Sequence, residues 1–230
     1  MFKGFNNRQL HGFPNLSFAG DKSAYGQGSC SFWLRSDFGL NTQTNLGAVS
    51  SWVDSVNGYR FIENTAGNQP RLLTSSLSYN SLPVVEFQDT ARRLVSPEGV
   101  QSRTIVFVAN YDLLTIRNTV IQNVLNGNTI INVGGSATNI NGVSIEFQGG
   151  GIRISGTTEN TNVKIGVITQ NMIMVNGVVE NSSTFDIDST MSAIGPIQGK
   201  IAEVIGYTVP LTQTQALAIS TQLNQKYVIY

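Results

Sequence analysis

From Ser31 onward the chain alternates short apolar runs with short polar breaks. The runs include LPVVEF, RTIVFVAN, VIQNVL, TIINVG, VSIEFQ, IRISG, VKIGVIT, MIMV, VVE and KIAEVIGY, and the breaks carry Gly, Asn, Pro and Ser. Most runs have strand length and are rich in Val and Ile, the composition that suits a pleated, half-buried surface. In Val163, Ile165 and Val167 against Lys164, Gly166 and Ile168, the alternation predicts a strand with one face more buried than the other. Many short strands at close spacing predict a sandwich.

Asn176-Gly177 separates MIMV from VVE. Both residues tolerate positive φ, so Met172 to Val175 and Val178 to Glu180 are expected to pair through a type I′ turn. Asn126-Gly127 and Asn141-Gly142 are candidates for the same arrangement. One helix is expected, at the C-terminus. Thr212 with Gln215 three residues on forms a capping-box pattern, and Ala216, Ile219, Leu223 and Tyr227 follow as one apolar stripe that should pack on the sandwich edge. Residues 1–29 show no sustained period. They are rich in Gly, Asn and Ser and hold Phe2, Phe5, Phe13, Phe18 and Tyr25, an aromatic content that predicts an extended arm laid on a surface, on this chain or another.

Composition narrows the partners. Lys plus Arg and Asp plus Glu number 14 each, and charged residues are 12% of the chain, about half the usual share. Nucleic acid is not an expected partner, since neutralising many phosphates needs a basic surplus. The surface must instead be covered by hydroxyls and amides, with 23 Asn among them. No run reaches membrane-spanning length, and MFKGFNNRQLHGF lacks the apolar core of a secretion signal, so the chain is expected to be made and used without crossing a membrane. The glycosylation-type triplets at Asn15 and Asn181 are read as chance.

A single cysteine, Cys30, and a single histidine, His11, exclude a disulfide framework, leave almost nothing for a zinc site and make a His-dependent triad improbable. Cys30 reads as a small buried or half-buried side chain. Glycan hydrolysis needs two carboxylates at a defined separation. The Glu-x-Asp-x-x-Glu pattern of many sandwich glycanases is absent, and in FDIDST the pair Asp186 and Asp188 shares a strand face with no third acid nearby, so no catalytic residue and no enzyme activity are expected. No cofactor is expected apart from a candidate calcium, for which Asp54, Asn57, Asp186 and Asp188 could supply oxygen ligands.

The order of motifs carries a resemblance. FWLRSDFGL, VSSWVDSVNGYRF, NQPRL, LPVVEFQDTARRLVS, IMVNGVV and GKIAEVIGYTVPLTQTQALAISTQLNQKYVI, spanning about residues 32 to 230, resemble the laminin-G-like, concanavalin A-like jelly rolls of many bacterial and phage proteins. Trp52, Asp54, Asn57, Gly58, Gln69, Pro70, Phe87, Asn176, Gly177, Ile201, Ala202, Glu203, Tyr207, Lys226 and Tyr227 match the family pattern, and Val56 stands where the family has Gly. The resemblance implies an all-β, concanavalin A-like jelly-roll sandwich of two antiparallel sheets with a short C-terminal helix over residues 30–230, preceded by the arm at 1–29. Trp52, flanked by alternating residues, is expected in the core, and Glu203 at a polar or ion-paired site on an otherwise apolar strand.

Such jelly rolls serve as virion structural proteins, as carbohydrate-binding modules and as glycanase relatives. The low charge, the aromatic arm and a domain that stands nearly alone favour the first: a non-enzymatic capsid decoration, head-fibre or tail component. Its expected partners are capsid or tail proteins of the same virion and sister copies in a homo-oligomer, with a surface glycan as candidate ligand. For a sugar, the candidate contacts are exposed aromatics and amides in loops, Tyr59, Tyr79, Asn80 and Tyr111.

Overall fold

The computed structural model describes residues 29–89, 91–111, 118–122, 138–140, 143–148, 151–156, 163–180, 189–195 and 198–230. Residues 1–28, with the five arm aromatics and His11, lie outside the described residues, as do Asn126-Gly127, Asn141-Gly142, Asp186 and Asp188.

Among the described residues, the strands form two antiparallel sheets. The front sheet contains β1 (Cys30–Arg35), β4 (Arg71–Ser76), β5 (Leu82–Phe87), β7 (Thr104–Tyr111), β12 (Lys164–Thr169), β13 (Met172–Val175), β14 (Val178–Glu180) and β16 (Gly199–Tyr207). Its order is β14-β13-β12-β7-β16-β5-β4. β16 is long enough to use one edge twice, pairing β5 through residues 199–201 and β1 through residues 203–207. The back sheet contains β2 (Ser51–Val53), β3 (Arg60–Ile62), β6 (Leu94–Ser102), β8 (Asn118–Gln122), β9 (Thr138–Ile140), β10 (Val143–Gln148), β11 (Gly151–Gly156) and β15 (Ser189–Ile194), in the order β2-β3-β6-β15-β8-β11-β10-β9. β6 passes from the back sheet to β7 of the front sheet with only Arg103 between them, and β15 and β16 follow the same path, so β6 pairs β15 and β7 pairs β16. The all-β sandwich with a helix after its last strand is the architecture expected from the sequence.

Side chains alternate across the front sheet into two apolar layers. Phe32, Leu34, Ile105, Phe107 and Ile168 point between the sheets, where Trp52, Phe61, Leu94 and Val100 meet them from the back sheet. Trp33, Val106, Val108, Ile165 and Val167 point the other way and are covered by Ala216, Ile219, Leu223 and Tyr227 of α1 (Gln213–Tyr227). Two sequence expectations change here. β12 is buried at all six residues rather than on one face: α1 covers Ile165 and Val167, the face the alternation marks as buried, and the inter-sheet core closes the other face at Gly166 and Ile168. The helix lies across β12 and β13 on the outer face of the front sheet, not at the sandwich edge, and burying Ile219 and Leu223 there contributes about 1.5–3 kcal/mol each. Trp52 is in the inter-sheet core, as expected.

The punctuation behaves as its chemistry requires. Asn176 and Gly177 have φ 49° and 77°, the left-handed pair of a type I′ turn, and join β13 to β14 in register Val175↔Val178. β9 and β10 pair in the register Ile140↔Val143. The Thr212 hydroxyl accepts from the Gln215 N–H at 3.3 Å while the Gln215 side chain accepts from the Thr212 N–H at 2.9 Å, completing the capping box.

Gly166 sits opposite Phe107 in the β12–β7 ladder, and a Cβ there would fall 2.1 Å from the ring. Gly166→Ala is expected to destabilise the chain by about 1–3 kcal/mol in urea denaturation, because the close-packed core has no room for the ring to retreat. Adding Phe107→Leu should recover part of that loss; equal stability of Gly166→Ala and the parent would contradict the packing described.

Candidate functional site

Three arrangements of polar side chains stand out, two of them committed to holding the chain together. The first is the turn after β2. Asp54 is 2% exposed, and its Oδ1 accepts from the N–H groups of Trp33 at 3.1 Å, Val56 at 2.7 Å and Asn57 at 3.3 Å; Oδ2 accepts from Asn57 at 3.1 Å and Tyr59 at 2.8 Å. The Asn57 amide donates to the Ser31 carbonyl at 2.7 Å. These donors crowd both carboxylate oxygens, so Asp54 organises the turn and is not the open cation ligand expected from the sequence. Asn57 likewise gives its side-chain N–H to β1. The left-handed residue of the turn is Gly58, at φ 80°, while Val56 is not among the positive-φ residues, which is why the turn forms without the family's glycine at position 56.

The second arrangement joins α1 to the front sheet. Glu203 of β16 is 1% exposed; its Oε2 accepts from Trp33 Nε1 at 2.7 Å, and its Oε1 from Lys226 Nζ at 2.5 Å and Tyr227 OH at 2.8 Å. Lys226 also lies 3.6 Å from Asp37 Oδ2, and Asp37 takes two bonds from Arg35, whose guanidinium stacks 5.2 Å over the Trp33 ring. The ion-paired site expected for Glu203 is therefore present. Burial pushes the Tyr227 hydroxyl well above its ordinary pKa, and the Glu203 charge adds to the rise. For Asp37 burial acts upward too, but the Arg35 hydrogen bonds and the Lys226 and Arg35 charges outweigh it and leave the carboxyl below 3.8.

Two of the four sequence-derived sugar contacts belong to this clamp. Tyr79, expected in an exposed loop, is fully buried: its ring packs edge-on against Tyr227 at 6.2 Å, and its hydroxyl donates to the Lys200 carbonyl at 2.8 Å. It offers no face to a sugar. Asn80 is exposed, and its amide donates to the Lys226 carbonyl at 3.1 Å, holding the end of the helix. Tyr59 is partly buried against the inter-sheet core beside the Asp54 turn, so the three described side chains, Tyr59, Tyr79 and Asn80, do not form one sugar-binding group. The Tyr111 side chain lies outside the described residues. Cys30 is half-buried, and its thiol donates to the Phe32 carbonyl at 3.5 Å.

The third arrangement is a half-open cavity of about 460 Å³ on the outer side of the back sheet. The β2–β3 register Ser51↔Ile62, Trp52↔Phe61 and Val53↔Arg60 sends Trp52 and Phe61 into the core and leaves Ser51, Arg60 and Ile62 on the outer face, where they line the cavity. Gly58 of the Asp54 turn closes one side. Ser96, Pro97 and Glu98 form the opposite wall, on a bulge of β6: between Met191↔Val100 and Ala193↔Val95 a single residue of β15 faces residues 96–99, and Gly99 takes φ 65°. Ser50 and Asn64 complete the lining. Sequence reasoning missed this site. Its available signal was Pro97 and Gly99 close together between Val95 and Val100, a pattern that a paired strand accommodates only as an edge or a bulge.

Removing one partner of the buried ion pair strands the other. Lys226→Met is expected to cost about 3 kcal/mol in urea denaturation, and Glu203→Leu combined with Lys226→Met should regain much of it, since no charge is then left unpaired. Additive losses in that cycle would show that the two do not act as a pair. The depressed Asp37 pKa gives a contribution present above the unfolded value of 3.8 and lost as pH falls through the folded value. Asp37→Asn should accordingly flatten the stability profile below about pH 4; an unchanged profile would remove Asp37 from the acid response.

No family model and no curated protein matches the chain. Solved structures similar to it include Trypanosoma rangeli sialidase in complex with sialic acid, at 13% identity and TM-score 0.48, covering 86% of this chain and 33% of that one. Domain 4 of AbnA, a GH43 extracellular arabinanase from Geobacillus stearothermophilus in complex with arabinotriose, is 13% identical with TM-score 0.48 over 84% of this chain and 98% of that one. The binding domain of Paraclostridial Mosquitocidal Protein 1 is 14% identical with TM-score 0.49 over 84% of this chain and 52% of that one. The chain thus spans about a third of the sialidase and half of the mosquitocidal binding domain. At these values the likenesses carry no functional argument, and the architecture rests on the chain's own strand pairing.

Proposed function

We propose that the chain is a non-enzymatic, lectin-like sandwich that binds a glycan, carried on the surface of a virion as a capsid decoration, fibre or tail component. The observation that carries glycan binding is the back-sheet cavity, whose lining offers hydroxyls, an amide, a guanidinium and a carboxylate at a size in the range of small-molecule sites, about 300–1,000 Å³. The non-enzymatic reading draws on the state of the acids. Among the described residues Glu98 is the only carboxylate lining the cavity, whereas glycoside hydrolysis takes two, and the buried carboxylates Asp54 and Glu203 are held by internal donors.

The virion assignment draws on the sequence. A chain with 12% charged residues and five aromatic rings in residues 1–29 suits a surface largely covered by neighbours, with the arm anchoring the domain to capsid or tail proteins or to sister copies in a homo-oligomer. Calcium has no role at Asp54 in this reading.

A glycan array probed with the purified chain, with and without calcium, should return binders, and reducing-sugar release from polysaccharides should stay at the buffer blank. An array blank in both conditions overturns glycan binding, and turnover overturns the non-enzymatic reading. Mass spectrometry of purified particles should find the chain, and its absence sinks the virion assignment.

A further inference from the structure

We infer that the back-sheet cavity takes a neutral saccharide unit, bound through its hydroxyls between Arg60 and Glu98 with Ser51 and Ser96 beneath it. The inference rests on the glycan-binding reading and names the site and the ligand charge. The cavity is built of groups left without partners. Ser51 is 9% and Ser96 1% exposed, and the Oγ of each is shielded from water with no hydrogen-bond partner among the described residues. Buried polar atoms are overwhelmingly satisfied in folded chains, and two hydroxyls under one cavity with no partner among the described residues are groups that a bound ligand can satisfy. A serine hydroxyl changes its direction by stepping between staggered χ1 wells, so both can turn toward an occupant without moving the backbone.

The charges select the occupant. Arg60 and Glu98 are exposed and form no ion pair with each other or with another described residue. An anionic ligand meets attraction at Arg60 and repulsion at Glu98, and a cationic ligand meets the reverse. A neutral polyol uses both: its hydroxyls donate to the carboxylate, and its hydroxyl and ring oxygens accept from the guanidinium, the charge-assisted bonds that are the stronger class. Asn64 adds an amide that both donates and accepts, and Ile62 supplies an apolar wall for the C–H edge of a ring. The site is pre-formed by two local devices. The Asp54 carboxylate holds the turn that carries Gly58, and the β6 bulge projects Glu98, so little ordering remains to be done on binding.

The test uses the full chain, titrated by calorimetry with the best array binder and by amide-resolved NMR with D-glucose, D-galactose, D-glucuronate, D-glucosamine and glycine. Shifts from the neutral sugars should centre on Ser51, Arg60 and Glu98. Arg60→Ala and Glu98→Ala should each weaken the array binder by about tenfold, with melting temperature unchanged, and Ser96→Ala by a smaller factor. If the array binder is unaffected by either charge variant, the chain binds glycan elsewhere; this inference falls and the glycan-binding reading stands. A blank array with no shifts from any sugar fells both. Tighter binding of glucuronate, glucosamine or the zwitterion glycine than of the neutral sugars overturns the assignment of ligand charge.

Discussion

A carboxylate that is 1% exposed must be neutralised and hydrogen-bonded, and Glu203 meets that demand with donors from two other elements. The Trp33 indole comes from β1, and Lys226 and Tyr227 from the end of α1. Stripping water from such an ion costs several kcal/mol, recovered only when each donor is correctly placed. The requirement therefore fixes positions. It sets where β1 lies against the far half of β16, and it sets where the last turn of the helix meets the sheet. With the helix held, Val106, Val108, Ile165 and Val167 have a cover, and the front sheet becomes a layer buried on both faces.

Among the described residues nothing covers the β2–β3–β6 side of the back sheet in the same way, and there the chain presents polar side chains on the outer face. The two sheets thus divide the work. On the front sheet opposite charges pair with one another, in the Glu203 clamp and in the Arg71–Glu86 pair. Those lining the back-sheet cavity, Arg60 and Glu98, remain available. In the first case complementary charges sit within hydrogen-bond reach; in the second they are held apart across a space.

Local signals were legible in the sequence where one short stretch contains the whole physical cause. Asn176-Gly177 carries its own turn geometry, the Thr212–Gln215 pair its own cap, and Trp52 in an alternating run its own burial. Glu203 was legible because an acid amid Ile201, Ala202 and Val204 has to find a partner. Tyr79 was not: its neighbours Ser78, Asn80 and Ser81 read as a polar loop, and the surface that buries it comes from Tyr227 and the strand bearing Lys200. The cavity was illegible for the same reason, since its walls come from residues 50–64 and 96–98 and meet only through the pairing of Ile62 with Val95. The one-sided burial expected of β12 failed because the alternation marks Ile165 and Val167 and carries no trace of the inter-sheet core that closes over Gly166 and Ile168.

The bond between Trp33 and Glu203 joins residues 170 positions apart. Closing so long a loop gains nothing until the intervening strands have narrowed the search, and its entropic cost rises only slowly with length once they have. The clamp is thus poorly placed to begin assembly and well placed to finish it. A nascent chain would have to form the β6–β7 arch and its partners first, with the outer face of β12 and β13 bare, before β1 and α1 converge on the carboxylate. That order puts the chain among slow-folding, non-local topologies and makes the interval before helix docking the time when its Val- and Ile-rich strands are most open to pairing with the wrong neighbour.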